Sequence, residues 1–600
     1  MNFVDLATGS VAVALLLLPG WLAARAVRVD QPLLAGFVAS AVAMATMVVG
    51  LDALSIRLTF GHCVALWLAI TAITALLGRK QFRRRPPSDA GVSRFAWREH
   101  WPLFVALLPA VAVVVYRAST QALFGIDTVF RWNFLAEEMF ARGTLGFYPP
   151  VSAADFEVYS WPDGIAPAVS SLYFWVYTLA RATHPVLTAP LVIFQFGVLV
   201  VGVFALARRW FSDRAAAFAC ALVACSPVIA WATAMGQETG LTAIALVALL
   251  LYLPRNRADE TTGSLVFAGL AAALGALARE YGLAFPLLGL VLIVARRLSW
   301  RSLVIFAAVT AFAALPWYAR NWVRTGNPVF NLDVLGWFPV NREHTWLNES
   351  FLAEFGWAKL PPGAARYVVV NCLAVLLAGT AGALLYFRQA RALIVAIALV
   401  IALWIASVGY TAAGFTAALR VLSPALAIGA ILGGATCARL IPGRRYLAGA
   451  SLALGLFALD AALRALTLPG NVYKIPAAAW LTAGRGVHEY HARPIYREIV
   501  RVTNGQRLLV LGPNALLTTL GARTLPLWSP EVLYLFDETV APAEVARRLR
   551  AANIGFVLLN KGSVNERYVS RSPFFKKPAG SLRPIWTDED MILHQIVPPP

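Results

Sequence analysis

The chain is a succession of apolar runs, most of them long enough to cross a bilayer, punctuated by short clusters of basic residues. A spanning helix needs about 20 predominantly apolar residues. Inside hydrocarbon every backbone hydrogen bond must close within the segment, so runs of this kind fold as helices. About fourteen runs meet the length criterion, at 4–23, 32–51, 60–77, 101–118, 185–207, 214–232, 240–254, 263–279, 282–296, 302–318, 366–387, 392–410, 420–438 and 446–466. Hydrophobic residues make up 59% of the chain and charged residues 14%, which excludes an ordinary soluble domain. The mean hydropathy of +0.67 points the same way. The expected fold class is a polytopic α-helical membrane protein.

Lys and Arg accumulate on the cytoplasmic side of membrane proteins, and here they test the span count. Arg25 with Arg28, Lys80 with Arg83 to Arg85, Arg208 with Arg209 and Arg214, Arg255 with Arg257, Arg296 with Arg297 and Arg301, Arg388 with Arg391, and Arg439 with Arg444 and Arg445 all fall on one side. The other side receives loops 119–184, 233–239, 319–365 and 411–419 and everything after about residue 467. Because the basic residues sit at the ends of apolar runs, the net charge of +20 points to anionic membrane lipids and not to nucleic acid. The apolar stretch 164–181 breaks the alternation, and its Tyr173, Trp175 and Tyr177 suit a helix lying in the outer interface. The first run lacks a basic leader and reads as a retained helix, not a signal peptide. The five cysteines lie inside apolar runs without CxxC or His pairing, so they read as packing residues.

Beyond about residue 470 polar residues return, and a soluble domain of roughly 130 residues is expected on the outer side. RLLVLG (507–512) and IGFVLLN (554–560) read as buried strands, with PAEVARRLRAAN (542–553) as an amphipathic helix before the second. That order implies an α/β layer. LGPNALLTTLG lacks the full GxGxxG pattern of a nucleotide loop. The Asp588-Glu589-Asp590 run resembles a DxD site and equally an exposed turn.

Chemistry concentrates in the first large outer loop. Asp127, Glu137, Glu138, Asp155, Glu157 and Asp163 stand there with Arg131, Arg142 and many aromatics, a composition suited to gripping a polar substrate beside lipid. Ionisable groups near hydrocarbon are functional candidates by default. Asp127 follows a span by a few residues, at the mouth of the bundle. There it can take a proton from a hydroxyl nucleophile, orient a divalent cation on a phosphate, or simply cap the helix that follows. Glu238, in the short loop MGQETG, is placed to share that mouth. Arg279 and Glu280, in LAREYG, occupy a third tight outer turn, where Arg279 serves either a phosphate or Glu280. Arg320 and Arg324 share one helical face, directed to lipid headgroups or to an anionic substrate. Asp460 and Arg464 have the same spacing and read as a structural pair.

Taken together, GIDTVFRWNFLAEEMFARG, YSWPDGIAPAVSSLYFW, the GQETG loop and LPWYARNWVRTGNPVF resemble the GT-C superfamily of membrane glycosyltransferases. The likeness is to the family-39-like group that includes aminoarabinose transferases and protein O-mannosyltransferases, and it covers about residues 100–470. It implies transfer of a sugar from a polyprenyl-phosphate donor to a cell-envelope acceptor at the outer face of the membrane. Asp127 matches the family's loop aspartate and would be the catalytic carboxylate. Glu238 stands where many relatives carry a second acid, usually Asp. The relatives' KPP stretch is represented by Trp161-Pro162-Asp163-Gly164, without its lysine, which makes Arg279, Arg320 and Arg324 candidate phosphate partners.

On this reading the chain divides into an N-terminal transmembrane extension (1–100), a GT-C-like core (101–469) and a C-terminal α/β domain (470–600). Asp127 and Glu238 are the catalytic candidates, with Arg131, Asp155, Asp163, Arg279, Glu280, Arg320 and Arg324 for substrate binding. The sequence identifies no certain cofactor, and a divalent cation (Mg²⁺ or Mn²⁺) stays open. The Ala-, Leu- and Arg-rich composition suits a bacterial inner membrane, which would make the last domain periplasmic. Two other classes compete: a polymerase-like or non-catalytic polysaccharide-assembly protein, and a secondary transporter. A transporter would carry its ionisable residues near the midplane on broken helices.

Overall fold

The computed structural model describes residues 3–83, 97–123, 127–355, 359–360, 362–408, 414–441, 443–468, 494–512, 515–578, 580–587 and 589–598. Arg84, Arg85 and Asp588, singled out above, lie outside them.

Ten described helices are long and apolar enough to cross a membrane, from Val4–Val27 to Tyr446–Thr467. The protein is a multi-pass membrane protein. The expected span at 214–232 is a pair of helices, Asp213–Ala224 and Pro227–Ala234, bent by 69°. The bend falls where Ser226 caps the second helix and Pro227 occupies its first turn, a position with no amide to satisfy. The expected spans at 240–254, 263–279 and 282–296 are helices of 15, 17 and 12 residues. Helix Ser423–Leu440 is buried along most of its length; small residues dominate its sequence and allow close approach to Ala364–Leu385 and Asp213–Ala224. Helices Phe60–Arg83 and Arg444–Thr467 leave large apolar side chains exposed, among them Leu77, Leu452 and Phe457, as lipid-facing helices do.

The 164–181 stretch is not an exposed surface helix, as one lying in the interface would be. Helix Ala168–Ala180 is buried from Ala168 to Thr178 against Phe3–Val27 and Pro32–Ala53, and the Trp175 indole donates to the Ala12 carbonyl at 3.0 Å. Its aromatics are core residues whose polar tips find protein partners.

The C-terminal part forms a five-stranded sheet: β1 (Arg507–Val510), β2 (Arg523–Pro526), β3 (Ile554–Asn560), β4 (Leu582–Thr587) and β5 (Met591–Ile596), in the order β2-β1-β3-β5-β4. β2, β1 and β3 are parallel; β5 runs antiparallel to both β3 and β4. Helix Pro542–Ala551 precedes β3, as its amphipathic pattern predicts. One face of this layer shares a core with the membrane-proximal loops: Phe156 and Leu347 are buried among Leu525, Trp528 and Leu535. Arg507 pairs with Glu157 at 2.8 Å, and Arg571 with Glu343 at 2.7 Å.

Candidate active site

Asp127 opens a π-helical turn, Thr128–Asn133, that continues into helix Phe134–Arg142. Turns of this kind are frequent at functional sites. The turn is tied to the neighbouring loop: Gln237 donates to the Thr128 hydroxyl at 2.9 Å, and that hydroxyl donates to the Met235 carbonyl at 3.3 Å. Tyr173 donates to the carbonyl of Gly236, whose φ of +65° and tight contact with the Tyr173 hydroxyl leave no space for a side chain. These bonds bring Asp127 and Glu238 to one place, as their loops predict.

Arg420 links the two carboxylates. Its Nη2 donates to Asp127 Oδ2 at 2.5 Å, while its Nε stands 3.9 Å from Glu238 Oε1. The Asp127 side chain is 26% exposed and that of Glu238 only 2%, so one carboxylate is partly accessible and the other is buried. Glu238 lies in the first turn of helix Glu238–Tyr252, where the helix dipole favours negative charge. Its Oε2 has no hydrogen-bond partner among the described residues. Burial opposes ionisation of Asp127, but the fields of Arg420, Arg131 and Arg279 together outweigh it and hold the carboxyl below its ordinary value.

Arg279 pairs with Glu280 at 3.1 Å, lies over the Trp132 ring at 5.8 Å, and stands within the field of Glu238 and Asp127. Arg131 turns away from Asp127 to a buried pair with Asp163, Nε to Oδ2 at 2.6 Å; Tyr148 donates to the other carboxylate oxygen at 2.7 Å. The Trp-Pro-Asp-Gly stretch is fixed at Gly164, whose carbonyl accepts from Trp317 and Asn321. A Cβ there would meet the Phe330 carbonyl at 2.7 Å.

Arg320 and Arg324 have no contact with Asp127, Glu238 or Arg420 among the described residues. Arg320 pairs with Asp52 at 2.9 Å and donates to the carbonyls of Tyr148 and Leu145. Arg324 pairs with Asp155 at 3.0 Å and donates to the Pro149 carbonyl. Asp155 itself closes a capping box with Ser152. Asp460 and Arg464 form the pair their spacing predicts, at 2.7 Å.

Sequence reasoning did not single out Arg420. The available signal was its position: an arginine opening an apolar run on the side opposite the basic clusters. Nor did it find His344, buried between Trp161 and Trp528 with ring centroids 4.6 and 5.2 Å away. Burial pushes the imidazole down to about 3, so it is neutral at physiological pH.

As a donor set for a divalent cation, Asp127 and Glu238 are two carboxylates with a guanidinium already between them. No group of three ligating side chains occurs among the described residues. That arrangement does not fit a resident metal.

Residues 171–319 match the family model described as dolichyl-phosphate-mannose-protein mannosyltransferase. The GT-C resemblance is borne out. The matched stretch includes Glu238, Arg279 and Glu280 and ends just before Arg320. No curated protein sequence matches the chain.

Among solved structures, ArnT from Cupriavidus metallidurans bound to undecaprenyl phosphate aligns at 15% identity and a TM-score of 0.48, covering 84% of this chain and 98% of that one. The oligosaccharyltransferase AglB from Archaeoglobus fulgidus, in complex with an inhibitory peptide and a dolichol-phosphate, aligns at 14% identity and 0.49, covering 81% and 73%. The mycobacterial arabinofuranosyltransferase AftD aligns at 14% identity and 0.47, covering 84% of this chain and 40% of AftD.

Proposed function

We propose that this chain is a glycosyltransferase that moves a sugar from a polyprenyl-phosphate donor to a cell-envelope acceptor at the outer face of a bacterial inner membrane. The observation that carries the reading is Arg420 held between Asp127 and Glu238, where a cation can meet an anionic leaving group beside an ionised carboxylate. The donor tail stays in hydrocarbon and its headgroup reaches the mouth of the bundle. As the acceptor oxygen attacks the sugar carbon, the bond to phosphate breaks and charge builds on the leaving phosphate. Arg420, with Arg279 beside it, stabilises that charge. Asp127, the more exposed carboxylate, takes the proton of the acceptor hydroxyl. Glu238, buried and partly unsatisfied, keeps Arg420 oriented.

In this account residues 1–100 are a transmembrane extension, 101–469 the catalytic core and 470–600 a periplasmic α/β domain. Arg131–Asp163, Arg320–Asp52 and Arg324–Asp155 brace the loops around the mouth. The test is to incubate purified protein in liposomes with sugar-labelled polyprenyl phosphates and extracted envelope acceptors. Label in an acceptor, with release of polyprenyl phosphate, supports the reading. Neither transfer nor donor cleavage with any such donor returns the polysaccharide-assembly reading to the front.

A further inference from the structure

Three rings join the sheet to the turn that Asp127 opens. Trp528, in the segment after β2, is fully buried, and its ring meets Trp161 at 5.4 Å and His344 at 5.2 Å. Its indole N–H donates to the Ser160 carbonyl at 2.7 Å, and its own carbonyl accepts from the Asn341 side chain at 2.9 Å. Trp161 in turn packs on Phe130 at 5.3 Å and lies 5.9 Å from the Arg131 guanidinium. Phe130 and Arg131 belong to the π-helical turn, and Arg131 is fixed from behind by Asp163. A second contact runs in parallel: Ala515, from the helix after β1, is buried in the core of the membrane bundle, and that helix touches the same turn.

A domain that only recruited substrate would need no buried tryptophan whose ring contacts lead, through Trp161, to the turn that Asp127 opens. Each edge-on aromatic pair contributes about 0.5–1.5 kcal/mol beyond its buried area, and misplacing a reacting group by about 1 Å can lower a rate about a hundredfold. We infer that Trp528 is a positioning residue for Asp127, acting through Trp161 and the Phe130–Arg131 segment, so that the sheet domain is part of the catalytic apparatus. The inference rests on the reaction proposed above for the choice of rate assay. Its structural half stands apart from that reaction.

The experiment compares full-length wild type, Trp528→Phe and Trp528→Ala by amide hydrogen exchange and by sugar transfer. In Trp528→Ala the amides of residues 128–134 should exchange faster while those of helix Glu238–Tyr252 stay as in wild type. The turnover number kcat should fall about ten- to a hundredfold, with the donor KM changed less than about threefold because Arg420 and Arg279 are untouched. Trp528→Phe keeps the ring and should restore most of both properties. The inference is overturned if Trp528→Ala speeds exchange only within residues 507–598. It is equally overturned if turnover is unchanged although residues 128–134 have loosened. If the wild type transfers no sugar at all, the proposed reaction fails, and the exchange comparison still decides whether Trp528 holds the turn.

Discussion

Replacing Arg420 by glutamine removes the cation that, among the described residues, pairs with both carboxylates of the site. Its bond to Asp127 is 2.5 Å long and charge-assisted, an interaction of about 1.5–3 kcal/mol net. Lost from the transition state, that energy corresponds to a decrease of about ten- to a hundredfold in kcat/KM. Stability should suffer as well, because Glu238, with a side chain only 2% exposed, would lose the guanidinium it is paired with. Breaking a buried pair by removing one member costs about 3–5 kcal/mol. Arg420→Lys serves as the control, since it keeps the charge and loses the planar fork. The assay is a double-variant cycle with Asp127→Asn, reading residual transfer rates at saturating acceptor. If arginine and aspartate act as one unit, the double variant is far less impaired than the product of the single losses. The pH profile supplies a second readout. Arg420 is the strongest of the charges that depress the Asp127 carboxyl, so in Arg420→Gln the acidic limb of kcat/KM should move to higher pH. Losses additive within about 0.5 kcal/mol, or an acidic limb that does not move, would contradict a coupled Arg420–Asp127 pair.

Asp163→Asn leaves the Arg131 guanidinium buried without its partner, both side chains being about one-tenth exposed; a loss of about 3–5 kcal/mol should appear as a lower melting temperature in detergent. Arg320→Gln frees Asp52 and two backbone carbonyls, and it should lower thermal stability while leaving donor KM near wild type. His344 is held neutral in the folded protein at a value of about 3, well below its value of about 6.5 in an unfolded chain. Its folded-state advantage is therefore complete above pH 6.5 and shrinks as the pH falls. Going from pH 6.5 to pH 5 should cost about 2 kcal/mol of stability, and denaturation of His344→Phe should lack that component.

The membrane part of the fold was legible because hydrocarbon imposes a single rule, apolar length. The runs at 32–51, 185–207 and 420–438 needed nothing else. Helix Ala168–Ala180 escaped the rule: an aromatic, uncharged stretch suits an interface and a protein core equally, and packing against Phe3–Val27 and Pro32–Ala53 decides between them. In the sheet, β1 and β3 announced themselves as apolar runs, whereas β4 exposes most of its residues and shows no such run. Loop lengths brought Asp127 and Glu238 together. Arg420 stayed hidden because its partner lies 293 residues away, a pairing that helix packing creates and that no local pattern encodes. The same reason hid the Asp52 partner of Arg320 and the Trp528 partner of Trp161.

In the proposed reaction, sugar transfer depends on the Asp127 carboxylate. The most direct test measures label transferred from a polyprenyl-phosphate sugar by wild type, Asp127→Asn and Asp127→Glu, with melting temperature recorded for each. The account predicts transfer reduced at least about a hundredfold in Asp127→Asn, with folding retained and donor still bound. Wild-type transfer by a folded Asp127→Asn protein would contradict it.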